Sequence, residues 1–157
     1  MRIRDFDRTT DEQACIGFIH ALQVYEHAFE KDRRIDDSVA AEYFAVLMGR
    51  VAKHAGRVFV ADEGGRAVGW AVFLVEEGYL YVVEAERTQP YIAELYLEET
   101  ARGQGAGRAL IAACENEARA RGFHHIMIGV LSENRNAARI YDRAGYAPYS
   151  ASLRKYL

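Results

Sequence analysis

Glu94–Leu110, ELYLEETARGQGAGRAL, decides the fold. Gly103, Gly105 and Gly107 occupy alternate positions between two runs of different periodicity. Upstream, Tyr91–Leu97 alternates apolar with mixed positions and is rich in Tyr, Leu and Ile, the pattern of a strand. Downstream, Ala106, Leu110, Ala113, Cys114 and Ala118 recur at helical spacing, with Arg108, Glu115, Asn116 and Arg119 on the other side, which predicts an amphipathic helix. A glycine-rich turn feeding a helix presents unpaired backbone N–H groups at the positive end of the helix dipole, which suits a phosphate or pyrophosphate. A Cβ there would hold the phosphate oxygens away from the backbone. Two common nucleotide loops fail on spacing. A Walker loop ends in Gly-Lys-Ser/Thr, and no Gly-Lys pair occurs in the chain. A dinucleotide fingerprint, G-x-G-x-x-G, would put its third glycine on Arg108 or on Leu110.

The chain of 157 residues is long enough to bury a core and reads as a single domain, residues 1–157. Apolar and aromatic residues make up 50% and charged residues 27%, the balance of an ordinary globular protein. A net charge of −3 with no basic run argues against a nucleic-acid partner. No apolar run is long enough to span a bilayer, and the polar start MRIRDFDRTTDE resembles neither a signal nor a transit peptide. Cys15 and Cys114 lie far apart in helical runs, so free, buried thiols in a reducing cytoplasm are expected.

Taken in order, Ile3 and Phe6 mark a short strand, and Asp7–Thr10 supplies turn and cap chemistry. A helix is expected over Asp11–Glu30, with Ile16, Ile19, Ala21, Val24 and Ala28 inward. A second, capped by Asp37 or Ser38, runs to about His54 with Ala41, Phe44, Ala45, Leu47 and Met48 inward and Gly56 at its end. Arg57–Asp62 is a strand, Glu63–Arg66 a hairpin turn, and the continuously apolar Ala67–Val75 a central strand buried on both faces. Tyr79–Val83 either extends that strand or forms another, and Glu84–Thr88 is loop. Pro90 precedes the strand described above. After the glycine loop a helix runs to Arg121, closed by Gly122. Phe123–Val130 reads as a strand, Ser132–Ala144 as a short helix, and Tyr146–Tyr156 as a final strand or tight hairpin. This is an α/β (α+β) order, a mixed sheet with helices on both faces.

A second motif lies one helix and one strand beyond the glycines. Asn134–Tyr146, NRNAARIYDRAGY, fills every specified position of N-x-x-A-x-x-[LI]-Y-x-x-x-G-[FY]. Together with Arg102-Gly-Gln-Gly105-Ala-Gly107, which fits R/Q-x-x-G-x-G/A, it resembles the GCN5-related N-acetyltransferases over residues 91–146. That resemblance implies the acyl-CoA N-acyltransferase fold, a central sheet splayed like a V between Tyr91–Leu97 and Phe123–Val130. Splayed strands leave backbone N–H and C=O groups unpaired. The pantetheine arm of coenzyme A would fill the gap as a pseudo-strand against Leu95 and Leu97. Gly103, Gln104, Gly105, Ala106, Gly107 and Arg108 would offer amides to the pyrophosphate, with the Arg102 side chain nearby. Asn134 and Ala137 would meet the pantetheine, although Asn134 is also a good helix cap.

The same resemblance assigns chemistry. Acetyl-CoA would be the acetyl donor and a primary amine the acceptor, by direct transfer in a ternary complex. An amine of pKa about 10.4 is almost wholly protonated at neutral pH, so a proton acceptor is required. Glu94, alternating with Tyr96 on one side of its strand, is the candidate, helped by burial or a water relay because an ordinary carboxylate is a weak base. The backbone N–H of Leu97 would stabilise the developing oxyanion. Tyr141, on the Asn134 and Ala137 face of its helix, would protonate the departing thiolate, a phenol near pKa 10 and a thiol near 8.5 being closely matched. Tyr25, Glu26, Tyr81, Glu94 and Tyr96 are candidates for the acceptor wall, with Glu30, Glu84 and Glu86 further options. His20, His27, His124 and His125 show no metal-ligand spacing, so no metal is expected. A small-molecule amine is the leading acceptor, and a protein lysine or N-terminus the alternative. A non-catalytic acyl-CoA sensor is the reading from another class. Relatives in the family are often dimers, which places a homodimer among the expectations.

Overall fold

The structure is a computed structural model that describes all residues, 1–157. Five strands form one sheet in the order β1-β2-β3-β4-β5: β1 (Arg2–Asp5), β2 (Arg57–Glu63), β3 (Arg66–Glu77), β4 (Thr88–Leu97) and β5 (Met127–Ile128). The first four pair antiparallel, and β5 joins β4 in parallel. The helices are α1 (Arg8–His27), α2 (Val39–Lys53), α3 (Glu84–Arg87), α4 (Ala106–Ala120) and α5 (Arg135–Arg143).

Helices cover both faces of the sheet, and β3 is buried throughout its centre, as its unbroken apolar run predicts. On one face Phe18, Ile19, Phe44 and Leu47 of α1 and α2 pack on Val58, Val60, Trp70, Val72 and Leu74. On the other, Leu110, Ile111, Cys114 and Ala118 of α4 pack on Phe59, Ala61, Ala71, Phe73 and Ile92. Asp7 caps α1 through the Thr9 N–H at 2.9 Å. Arg4 ties the start of α1 to the sheet, donating to the buried Asp11 at 2.6 and 2.9 Å and to Asp62 at 2.8 Å.

Several elements depart from expectation. The inward stripe of α2 is Ala40, Phe44 and Leu47, with Tyr43, Met48 and Val51 packed beside it; Ala41 and Ala45 face out. In α1, Cys15, Phe18 and Ile19 are buried while Val24 and Ala28 are exposed. The Ser38 hydroxyl donates to Asp36 at 2.7 Å rather than capping α2. At the end of α2 the left-handed residue is Ala55, with φ 47°. Gly56 is needed for a different reason: a Cβ would lie 2.8 Å from Leu74 Cδ2 and 2.9 Å from the Phe73 carbonyl.

Glu84–Arg87 forms one helical turn where loop was expected, its acidic residues at the positive N-terminal end. Tyr79–Val83 adds no strand and is largely exposed. Pro90 lies inside β4, opposite Val75 and just ahead of the first residue paired with β5. The expected strand Phe123–Val130 contracts to Met127–Ile128, because β4 turns away from it after two pairs. Tyr146–Tyr156 forms neither strand nor hairpin. So short a β5 offers almost no edge to pair with, Pro148 lacks an N–H, and Arg154 holds the tail to Glu30 and Asp32 instead.

Candidate active site

The site begins with an irregularity in β4. Val72 pairs with Glu94 and Phe73 with Ile92, so Ala93 is the extra residue of a β-bulge. The bulge sends Ile92 and Leu95 to the α4 face and Glu94 and Tyr96 to the α1–α2 face, opposite Val72 and Trp70. Pairing with β5 stops at Ile92–Ile128, immediately before it. From Ala93 to Leu97, β4 has no strand partner on that side, and a cleft of about 1060 Å³ opens there. This is the splayed, V-shaped sheet that the family resemblance implies.

At one end of the cleft lie Gly103, Gly105, Gly107 and Arg108. Gly105, at φ 85°, turns the chain into α4, and no side chain caps the helix, so the amides of its first turn are available to an anion. Arg102 also lines the cleft and donates to the Leu97 carbonyl at 3.0 Å. Gln104 and Ala106 do not line it: the Gln104 amide turns back to the Thr100 carbonyl at 3.3 Å, and the Ala106 side chain is buried. Only their backbone groups can serve a ligand. An unpaired strand edge running into an uncapped helix N-terminus fits an amide-bearing arm ending in a pyrophosphate. Alanine at 105 would force a left-handed position costing about 1–2 kcal/mol, so Gly105→Ala should weaken acetyl-CoA binding about tenfold by calorimetry.

Across the V, Asn134 is 7% exposed. Its Oδ1 caps α5 by accepting the Ala137 N–H at 3.1 Å and also accepts the Tyr25 hydroxyl, from α1, at 3.4 Å. Tyr141 sits one turn beyond Ala137, lines the cleft and packs beside Tyr146, ring centroids 6.1 Å apart. Burial, then the charges of Glu26 and Glu94, pushes its phenol up to about 12, above the value of about 10 usual for tyrosine. Leu95, Leu97 and Tyr96 line the cleft between the two ends, Tyr96 stacked on Phe18 at 5.4 Å.

Glu94 is 8% exposed and accepts the Tyr43 hydroxyl on Oε1 at 2.7 Å. Burial raises its pKa to about 7; Tyr43 and Arg50 lower it and Glu26 raises it. Tyr25 and Glu26 line the far end of the cleft with Arg33, whose Nε lies 3.0 Å from Glu26 Oε2. Tyr81 does not reach it, being 83% exposed on the β3–β4 connection. Nor do Glu30, Glu84 or Glu86; Glu30 holds Arg154, and Glu86 meets His125 at 2.9 Å. Tyr43 and Arg33 are the site residues the sequence did not reveal. Phasing the α2 stripe on Ala40 rather than Ala41 would have turned Tyr43 inward.

Residues 18–146 match the acetyltransferase (GNAT) family, and the chain belongs to it. It is an acetyl-CoA-dependent acetyltransferase. An L-methionine sulfoximine/L-methionine sulfone acetyltransferase of Salmonella typhimurium is 29% identical over 150 residues, covering 88% of this chain and 78% of the relative. The fold is shared by a tetramutant of the BH1408 protein from Bacillus halodurans, with TM-score 0.84 and 22% identity over 100% of both chains. A predicted acetyltransferase from Clostridium acetobutylicum, solved with acetyl-CoA, superposes with TM-score 0.75 and 19% identity over 99% of this chain and 95% of its own. No helix is long and apolar enough to cross a membrane, and no three His, Cys, Asp or Glu side chains converge on a metal-sized site.

Proposed function

We propose that the whole chain acts as one catalytic domain that acetylates the primary amine of a small molecule by direct transfer in a ternary complex. The observation that carries this reading is the placement of Glu94: a buried carboxylate of pKa about 7, in the same cleft as the glycine loop and Tyr141. From an ammonium near 10.4, a carboxylate of ordinary pKa faces a gap of about 6 units; at about 7 the gap is about 3.4, lowering the proton-transfer cost by about 3 kcal/mol. The acceptor end, with Tyr25, Glu26 and Arg33, carries polar and charged groups that suit a small polar molecule, and the Salmonella relative's named acceptors are small amino-acid derivatives. Both cysteines are free and buried, which suits a reducing cytoplasm.

Acetyl-CoA supplies an activated acetyl thioester. The ammonium loses a proton to Glu94, and the freed nitrogen lone pair forms the N–C bond as the C–S bond breaks. The Leu97 N–H is the donor for charge on the carbonyl oxygen, and sulfur takes the bonding pair, accepting a hydrogen bond and then a proton from Tyr141. Two protons leave nitrogen and one returns to sulfur, so each turnover releases one proton to solvent.

Thiol release from acetyl-CoA across a panel of amines, amino-acid derivatives and peptides tests the reading. Release with small amines is expected. Release with peptides alone would assign a protein acceptor, and tight acetyl-CoA binding without release would make the protein a sensor.

A further inference from the structure

We propose that Tyr43, on α2, is the positioning residue of the acceptor site, its hydroxyl holding one oxygen of Glu94 so that the other meets the incoming amine. The inference rests on reading Glu94 as the proton acceptor and extends it to a residue outside both sequence motifs. Tyr43 Oη donates to Glu94 Oε1 at 2.7 Å, across 51 residues of sequence. Glu94 Oε2 has no protein partner, yet it is not among the side-chain oxygens sealed away from solvent. The two oxygens therefore differ, one tied to the protein and one open to the cleft that both residues line.

Tyr43 is well placed to act as a fixed donor. Its neighbours Phe44 and Leu47 anchor α2 in the core beneath it, and Arg50, two turns on, is paired with Glu76 of β3. Burial and the adjacent carboxylate raise the Tyr43 phenol well above the usual range, so it remains protonated and donating at any working pH. Glu94 is faced by Tyr43 and Arg50 from α2, Glu26 from α1, Tyr91 from its own strand and Tyr141 from α5. Of these, only Tyr43 is hydrogen-bonded to it. That bond favours the ionised carboxylate and opposes the burial that favours the neutral one. The donor thus does two things: it fixes the direction of the free oxygen, and it keeps the carboxylate ionised near neutrality despite burial.

The test is the pH dependence of kcat/KM for an amine found in the thiol-release panel, in the wild type, Tyr43→Phe and Glu94→Gln. In Tyr43→Phe the rising limb should move to higher pH by about one unit, giving about a fivefold loss at pH 7 that nearly closes by pH 9. The KM for acetyl-CoA should not change. A uniform loss with an unmoved limb would mean that Tyr43 merely anchors α2, and the proposal would fall. If Glu94→Gln retains full turnover, Glu94 is not the acceptor and both readings fall; if it is inactive while the Tyr43→Phe limb stays put, only the Tyr43 proposal does. Should Tyr43→Phe not fold, 3-fluorotyrosine at position 43 supplies a stronger donor of nearly the same shape. The limb must then move to lower pH, and an unmoved limb rejects the proposal.

Discussion

Replacing Tyr141 with phenylalanine should lower turnover about 100-fold and leave acetyl-CoA affinity nearly intact. The ring packs beside Tyr146 and the α4-side core, and phenylalanine keeps that packing. The hydroxyl is bonded to no protein group, so its removal orphans no buried partner and the fold should be unperturbed. What is lost is one O–H donor in a cleft where charge develops on sulfur, worth about 2.7 kcal/mol for a 100-fold effect. With its pKa pushed up to about 12, the phenol is protonated throughout any practical assay. The deficit should therefore be the same at pH 6 and pH 9, unlike the Tyr43→Phe deficit, which narrows as pH rises. The raised value also changes what the phenol does. Full proton transfer to a thiolate near 8.5 is uphill by about 3.5 units, or about 5 kcal/mol, so stabilisation by the hydrogen bond precedes the proton. Stopped-flow thiol release and calorimetry would measure both quantities. Turnover within twofold of the wild type would remove Tyr141 from the chemistry.

What the sequence revealed follows from how local each signal is. The glycine turn and the Asn134–Tyr146 helix are short-range patterns whose chemistry is written in consecutive residues. The structure puts Gly105 at the entrance of α4 and Asn134 at the cap of α5, the places their residue types suit. Features that depend on distant partners were not legible. The bulge at Ala93, which opens the cleft, arises from the register of β4 against β3 and leaves no mark in TQPYIAELYL. The Tyr43–Glu94 bond joins residues 51 apart. The α2 stripe can be phased on Ala40 or on the adjacent Ala41, and only the first phase turns Tyr43 inward. Tyr81 carried an aromatic signal that tertiary structure overrode: the hairpin carries it away from the cleft, stacked on Tyr79 at 5.1 Å. The tail illustrates the same limit. Alternation alone could not show that β5 would be too short to receive another strand.

Glu94→Gln should abolish most of the activity and stabilise the protein, and the two effects share one cause. A carboxylate that titrates at about 7 in the folded chain and near 4.5 when unfolded makes the folded state bind its proton more tightly. Between those values the unfolded chain releases the proton first, so this group's contribution to stability falls as pH rises from 4.5 to 7 and stays low above it. The shift corresponds to about 3 kcal/mol above pH 7. Glutamine carries no charge to desolvate, and its oxygen can still accept from Tyr43. The variant should therefore melt several degrees higher at pH 8, with the gain vanishing below pH 4.5. Turnover at pH 7 should fall about 100- to 1000-fold, the usual contribution of a positioned base. That loss should shrink toward pH 10, where solvent deprotonates an amine of pKa about 10.4 without help. Thermal melts at pH 4.5 and 8, run beside the pH–rate profile, examine both effects in one variant. Equal melting points at pH 8 would mean that Glu94 is not held against its charge by burial, and a loss independent of pH would mean that it does not accept the proton. A residue that costs stability only when ionised, in a cleft lined by both motifs, is suited to taking a proton from an amine bound there.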